Sequence, residues 1–301
     1  MKILMYHSIN KNGDYNGLTI HQFKKQLDYF KHHWDIMTRK EFLKCLQTGN
    51  NNDNVVLTFD DGLSCHYDIV YPILKERGLF GVFFASTGQY EKNKLLNVHR
   101  THYLLDRYNS KKIFEYASKL VTTEMVNEKR IEEYNEEVYK DQNNSEFDYK
   151  TKRLLNYYLK PMWKDQILDI VMGSVAFNLE QHIANEFYMS LKQMKKMSED
   201  GMLIGSHTIS HPLLSELNEE QQEREIIGCH AFLKEYLKLN YGLFAYPYGG
   251  KSSFNATTKC ILHDYKDIDY SFIVEGKEAK EEVIHNVHKI PRLDCNGFLD
   301  V

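Results

Sequence analysis

At 301 residues and a formal net charge of −4, the chain has the length of one large α/β domain or two ordinary ones and no broad electrostatic reason to bind nucleic acid. Five scattered cysteines (Cys45, Cys65, Cys229, Cys260 and Cys295), none spaced as CxxC, argue against a disulfide framework or a cysteine-ligated zinc and lean towards a reducing compartment. No run approaches the roughly eighteen apolar residues of a membrane span, and the apolar start before His7 is too short for a signal peptide, so a soluble cytoplasmic protein is expected.

In chain order, Lys2–Tyr6 reads as a first strand ending at His7. Thr19 to Phe30 predicts a helix with Ile20, Phe23, Leu27 and Phe30 on one face and Thr19 as its cap. A brief extended piece, Asp35–Met37, precedes a helix over 38–47 and an asparagine-rich loop over 49–54. Val55–Phe59 is a buried strand, Tyr67–Arg77 a helix stopped by Gly78, and Leu79–Ala85 a second buried strand. That strand–helix–strand order argues for parallel β/α units.

From about 90 to 187 the pattern is helical with almost no strand signal. Ile113, Tyr116, Ala117, Leu120 and Val121 form one apolar stripe, and Leu154, Leu155, Tyr158 and Leu159 another. The charged stretch 124–146 between them reads as a solvated helix with a loop at 141–144. The β/α rhythm then returns with a helix over 190–198, a strand over 202–205 and a helix over 218–237 capped by Asn218 and Gln221. A strand over 243–246, a helix over 256–263 and strands over 270–274 and 287–293 complete the chain. The expectation is one domain over 1–301, interrupted by a helical insertion at about 90–187.

Two features carry chemistry. The strand at 55–59 releases Asp60 and Asp61 into a turn at Gly62. Neighbouring strand side chains point to opposite faces, so the chain must bend for both acids to serve one site, and glycine permits that. Close carboxylates do not both ionise cheaply without a cation between them, although Asp-Asp-Gly is also an ordinary turn. The second feature is Ser206-His207-Thr208-Ile209-Ser210-His211-Pro212. Two histidines four apart on a helical turn share a face and can share a metal. His7, the acids, His207 and Tyr248 each follow a predicted strand, and parallel β/α folds gather functional groups at that end of their strands. One carboxylate with two imidazoles is a catalytic zinc set that lowers the pKa of a coordinated water towards about 7. The remaining carboxylate is then placed to act as general base.

These stretches resemble a known family. Thr58–Gly62 (TFDDG), Ser206–Pro212 (SHTISHP) and Phe244–Gly249 (FAYPYG) are similar, in order, to three motifs of the polysaccharide deacetylase (carbohydrate esterase) family, over roughly 1–89 and 188–301. Met5–Ile9 resembles the opening of its poly-N-acetylglucosamine deacetylase branch. The resemblance implies a distorted, incomplete (β/α) barrel of parallel strands with a large helical insertion. It implies Asp60 as catalytic base and one divalent ion, zinc by default with cobalt or nickel acceptable, on Asp61, His207 and His211. Tyr248 then offers its backbone N–H to the oxyanion, and His7 protonates the leaving amine. The arginine that usually precedes the Pro-Tyr motif is replaced in its neighbourhood by Ala245, and Arg292, resembling a late arginine of the branch, is assigned to pair with Asp60. His263, in a Leu-x-His position, falls on a predicted helix, which favours His7. His99 and His102 read as polar helix positions, His32 and His33 as helix-end cations, His285 and His288 as residues near the cleft, and Cys65 as a small buried residue.

The implied activity is metal-dependent removal of acetyl from an amino sugar in a polysaccharide, oligosaccharide or surface-glycan precursor, with no nucleic acid or integral membrane segment involved. Hydrolysis of another non-peptide C–N bond, such as a cyclic amide, and an inactive glycan-binding protein are the alternatives. The insertion is expected to cap the cleft and select the glycan while leaving metal binding independent of it.

Overall fold

The computed structural model of the protein describes residues 1–13, 17–49, 53–139, 144–176, 179–275, 286–295 and 298. Apolar runs with no polar alternation are buried on both faces, the signature of parallel strands covered on both sides. Such runs give β1 (Lys2–Tyr6), β4 (Val55–Phe59), β5 (Val82–Ala85), β6 (Leu203–Ser206) and β7 (Leu243–Ala245), and the less uniformly buried β8 (Tyr270–Val274) and β9 (Ile290–Asp294) follow. These seven close into a barrel in that order, β9 pairing back onto β1 through Leu4 and Leu293. The expected incompleteness is therefore one of strand number, seven in place of eight, and not an open edge. Two short strands, β2 (Ile9–Asn10) and β3 (Leu18–Thr19), pair beside it.

Parallel register sets the height of every strand end. Tyr6 is level with Phe59, Ala85 with Ser206, and Ser206 with Phe244. His7, Asp60 and His207 therefore leave the barrel at one rim, and the Asp60 N–H donates to the Tyr6 carbonyl at 2.9 Å. Arg292 lies in the middle of β9, opposite Val274 at the end of β8.

The helices differ from expectation in detail. The helix expected over Tyr67–Arg77 opens with wide π turns at His66–Val70 before the α-helix Tyr71–Glu76, and Gly78 ends it at φ +66°. The helix expected over 218–237 likewise contains a π segment, Arg224–Gly228, between α-helices. The last strand starts at Ile290, later than the expected 287, because Lys289 N–H closes a turn onto the Asn286 carbonyl.

The insertion is helical as expected and has its own apolar core, in which Leu104, Ala117, Leu168 and Val171 are fully buried. Leu63, from the turn after β4, joins that core. Tyr116, expected on the buried stripe, is exposed. The stretch 124–146 is not a solvated helix: it contains the short helix Ile131–Glu137, whose Tyr134 is fully buried. Arg130 and Tyr134 both reach Glu216 of the barrel, the Tyr134 hydroxyl donating at 2.5 Å. Polar residues dock here by pairing across the interface, which a reading of local polarity takes for solvation. Most of the loop expected at 141–144 lies outside the described residues. Among the described residues no helix is long and apolar enough to cross a membrane.

Candidate active site

The turn after β4 separates the two acids. Asp61 takes φ +78° and Gly62 φ +66°, so the bend begins at the aspartate itself, one residue earlier than its glycine suggests. A short polar side chain tolerates the left-handed region better than most. Gly62 is needed for space as well as φ, since a Cβ there meets Ala85 Cβ at 2.9 Å.

Asp60 turns into the barrel and is nearly fully buried. Arg292, fully buried, donates to Asp60 Oδ1 at 2.7 Å and Oδ2 at 2.6 Å, and to Thr58 Oγ1 at 3.3 Å. Its guanidinium also lies 5.3 Å from the Phe84 ring centroid. The pairing assigned to Arg292 is thus present, as a bidentate charge-assisted contact away from water. Burial pushes the Asp60 carboxyl up, but Arg292 and His207 outweigh it and hold the group below the usual carboxylate range.

Asp61 faces the histidines. Its Oδ1 lies 3.5 Å from His207 Nε2 and 3.6 Å from His211 Nε2. One ligand atom from each of the three residues falls within 4.8 Å of the others, all of them buried. His207 Nδ1–H donates to the Ala245 carbonyl at 2.7 Å, which leaves the Nε2 lone pair facing Asp61. That is the tautomer a metal ligand needs. Asp61 Oδ1 is buried with no hydrogen-bond donor, so an acceptor stands opposite two imidazole nitrogens with nothing to neutralise it. This donor set fits a divalent cation. Burial opposes ionisation of Asp61, yet His99, His207 and His211 hold its carboxyl well below the usual range. Burial pulls His207 down, but Asp61 and Asp60 bring it above its ordinary value; burial takes His211 to about 3 despite Asp61.

The two histidines do not sit on a helical turn. Residues 207–213 are irregular, with Thr208 at φ +64° and His211 at φ +56°. The loop is held from outside: Ser86 Oγ–H donates to the His207 carbonyl at 2.8 Å, and the Glu225 carboxylate accepts from Ser210 N–H and Oγ–H at 2.8 and 2.6 Å. The His211 N–H donates to Thr208 Oγ1 at 3.1 Å. Convergence comes from this bracing and not from helical periodicity.

His7 follows β1, half-buried, and leaves at the same rim as Asp60 because Tyr6 is level with Phe59. Its carbonyl accepts from His66 Nε2–H at 3.0 Å. Tyr248 takes φ +61° and sets its ring edge-on to His211, with centroids 4.8 Å apart. Tyr157 of the insertion packs on its other side at 5.0 Å. His263 is exposed on the helix Ala256–Asp264 beside Asp264, in keeping with the preference for His7. His288 Nδ1 pairs with Ser271 Oγ at 3.0 Å, and His285 lies outside the described residues. Burial pushes the Cys65 thiol up to about 11, which leaves it no nucleophilic thiolate.

One residue at the site was read as an ordinary helix position. His99, on the insertion helix Asn97–Arg107, is buried, with Nε2 3.2 Å from Asp61 Oδ2. The insertion therefore touches Asp61, a contact the sequence reading did not foresee. No periodicity in the sequence signals this: only in the fold are the consecutive positions 98–101 of this helix, three of them polar, all buried, so that they need polar partners.

A family model described as polysaccharide deacetylase matches residues 47–144 and 169–271. These stretches take in more than half of the chain and, unlike the motif resemblance, much of the insertion. A Bacillus subtilis (strain 168) protein, YxkH, described as a polysaccharide deacetylase, is 28% identical over 78 residues, which are 26% of this chain and 28% of that protein; the matched part is thus little more than a quarter of the relative's length. Among solved structures, Streptococcus pyogenes deacetylase PplD in complex with acetate has a TM-score of 0.57 at 19% identity, over 98% of this chain and 91% of that one. IcaB from Ammonifex degensii has a TM-score of 0.56 at 20% identity, over 97% and 90%. At these identities the two structures show a shared fold.

Proposed function

Because the chain belongs to the polysaccharide deacetylase family, we propose that it is a metal-dependent hydrolase that removes acetyl from the nitrogen of an amino sugar in a polysaccharide, an oligosaccharide or a surface-glycan precursor. The observation that carries this reading is the buried Arg292–Asp60 pair standing beside the Asp61, His207 and His211 cluster. Asp61, His207 and His211 are the residues that would hold the ion. A divalent cation there, zinc by preference with cobalt or nickel also suited to the donors, supplies Lewis-acid polarisation of the acetyl carbonyl and lowers the pKa of water.

The protein's own groups do the rest. Asp60 accepts the proton that the attacking water loses, and its lowered pKa keeps it ionised for that task at neutral pH. Arg292 holds both Asp60 oxygens and so orients the base. The Tyr248 backbone N–H is assigned to the oxygen on which negative charge develops. His7 passes a proton to the nitrogen as the C–N bond breaks, so acetate and the free amine leave. Tyr248, half-buried beside His211 and backed by the buried Tyr157, offers an aromatic face suited to a sugar ring.

Acetate released from N-acetylated oligosaccharides tests this, measured before chelation, after it, and after zinc is restored. Chelation should abolish release and zinc should return it. Asp60→Asn should lower turnover about 10²- to 10⁴-fold with zinc binding retained. Release that survives both treatments, or turnover of cyclic amides with none of acetylated sugars, sinks the reading.

A further inference from the structure

His99 has a place in the site that the strand-end residues do not explain. The two oxygens of Asp61 face different partners: Oδ1 points to His207 and His211, while Oδ2 lies 3.2 Å from His99 Nε2. The His99 contact is an approach at ion-pair range and not an aligned hydrogen bond, for Nε2 is buried without an aligned acceptor.

The tautomer of His99 follows from its other neighbour. The Leu96 N–H donates to the Tyr188 hydroxyl oxygen at 3.0 Å, and that hydroxyl lies 2.6 Å from His99 Nδ1. With its oxygen already accepting, the hydroxyl proton is free to go to Nδ1. Nε2 then carries the hydrogen, 3.2 Å from Asp61 Oδ2. The ring is further held against Phe187, 5.0 Å between centroids. Its helix is clamped next door, where Arg100 donates to Glu180 at 2.6 Å and Asp169 at 2.7 Å. Tyr188 is also tied to the acid turn itself, since it bridges Leu63 and the following Met189 N–H donates to the Gly62 carbonyl at 2.9 Å. Both ends of the insertion thus meet at the turn that presents Asp61.

We propose that His99 is a positioning residue for the metal site. Its Nε2–H engages Asp61 Oδ2, so that Oδ1 alone is offered to the ion, and Tyr188 sets the tautomer that makes this possible. The helical insertion is then a working part of the metal centre, and the proposal rests on the reading that Asp61, His207 and His211 hold a divalent cation. Partners that orient a ligand in this way typically change metal affinity by about 10- to 100-fold when removed.

The test uses the full chain, stripped of metal with a chelator and titrated with zinc against a chromophoric competitor, and separately with cobalt for its visible spectrum. His99→Ala should weaken zinc about 10- to 100-fold and alter the cobalt bands. Tyr188→Phe should shift affinity in the same direction by less. His99→Gln, whose amide N–H can still reach Oδ2, should recover part of the loss. Melting curves in excess chelator separate this from unfolding, and Tyr188→Phe keeps the test open if His99→Ala does not fold. Wild-type affinity and an unchanged cobalt spectrum in folded His99→Ala, or a His99→Gln no better than His99→Ala, overturns the proposal. A wild-type chain that takes up no zinc or cobalt fails at the earlier step, and the metal reading falls with it.

Discussion

The barrel and the insertion supply the same small volume by different means. The barrel sends His7, Asp60 and His207 out of β1, β4 and β6, and the height of each is set by parallel register. The insertion reaches the site from one helix, Asn97–Arg107, and from Tyr157 against Tyr248; those positions depend on tertiary packing and on polar ties such as Arg130 to Glu216. The first kind of placement is fixed by backbone pairing within the barrel. The second depends on how a whole subassembly docks. A site built both ways takes Asp60, Asp61 and His207 from the frame and the contacts of His99 and Tyr157 from the insertion.

Breaking the buried charge pair of the barrel should have the largest effect. Arg292→Met leaves Asp60 ionised and unpaired in the interior, and should cost about 3–5 kcal/mol in urea unfolding. Asp60→Asn in the same background should return part of that loss. A small effect of Arg292→Met alone would show that the barrel interior tolerates the lone acid and would weaken the contrast with the insertion.

His66, also in the barrel frame, gives a pH-dependent test. It is fully buried, its Nε2–H bonds the His7 carbonyl, and burial takes its pKa down from 6.5 to about 4. A folded pKa below the unfolded one means the stability is complete above about pH 6.5 and is lost as pH falls towards 4. The wild type should lose of order 3 kcal/mol more across that window than His66→Gln, as followed by denaturant midpoints. Parallel profiles for the two proteins would remove His66 from the account.

The docking of the insertion should give the smallest number. A double-mutant cycle on Arg130→Ala and Glu216→Gln should return a coupling of about 1 kcal/mol. If the insertion helps to build the site, these changes should also raise KM for an N-acetylated oligosaccharide more than they lower kcat. An unchanged KM alongside a measurable coupling would mean that this contact holds the insertion on without shaping the cleft.

Much of this was legible in local sequence. The Thr58–Gly62 and Ser206–Pro212 motifs follow uninterrupted apolar runs, and such runs declare both the strands and the residues released at their ends. Arg292 was reachable from its resemblance to a late arginine, and the structure then supplied its bidentate geometry. The helical reading of His207 and His211 failed because spacing cannot report a loop whose left-handed turns at Thr208 and His211 are maintained by Ser86 and Glu225 from other segments. Tyr134 was misplaced because its polar neighbours pair across an interface instead of with water.

By itself the sequence determined the β/α frame, the two acids, the histidine pair and the family to which they belong. These are carried by hydrophobic periodicity and short motifs, which involve residues close in the chain. Only the tertiary structure decided that Asp61 bends before Gly62, that seven strands suffice to close the barrel, and that His99 stands beside Asp61. Each of those depends on contacts between segments far apart in the chain, such as Met189 with Gly62 and His99 with Asp61, which form only when the insertion and the segment after it close back on the turn that follows β4.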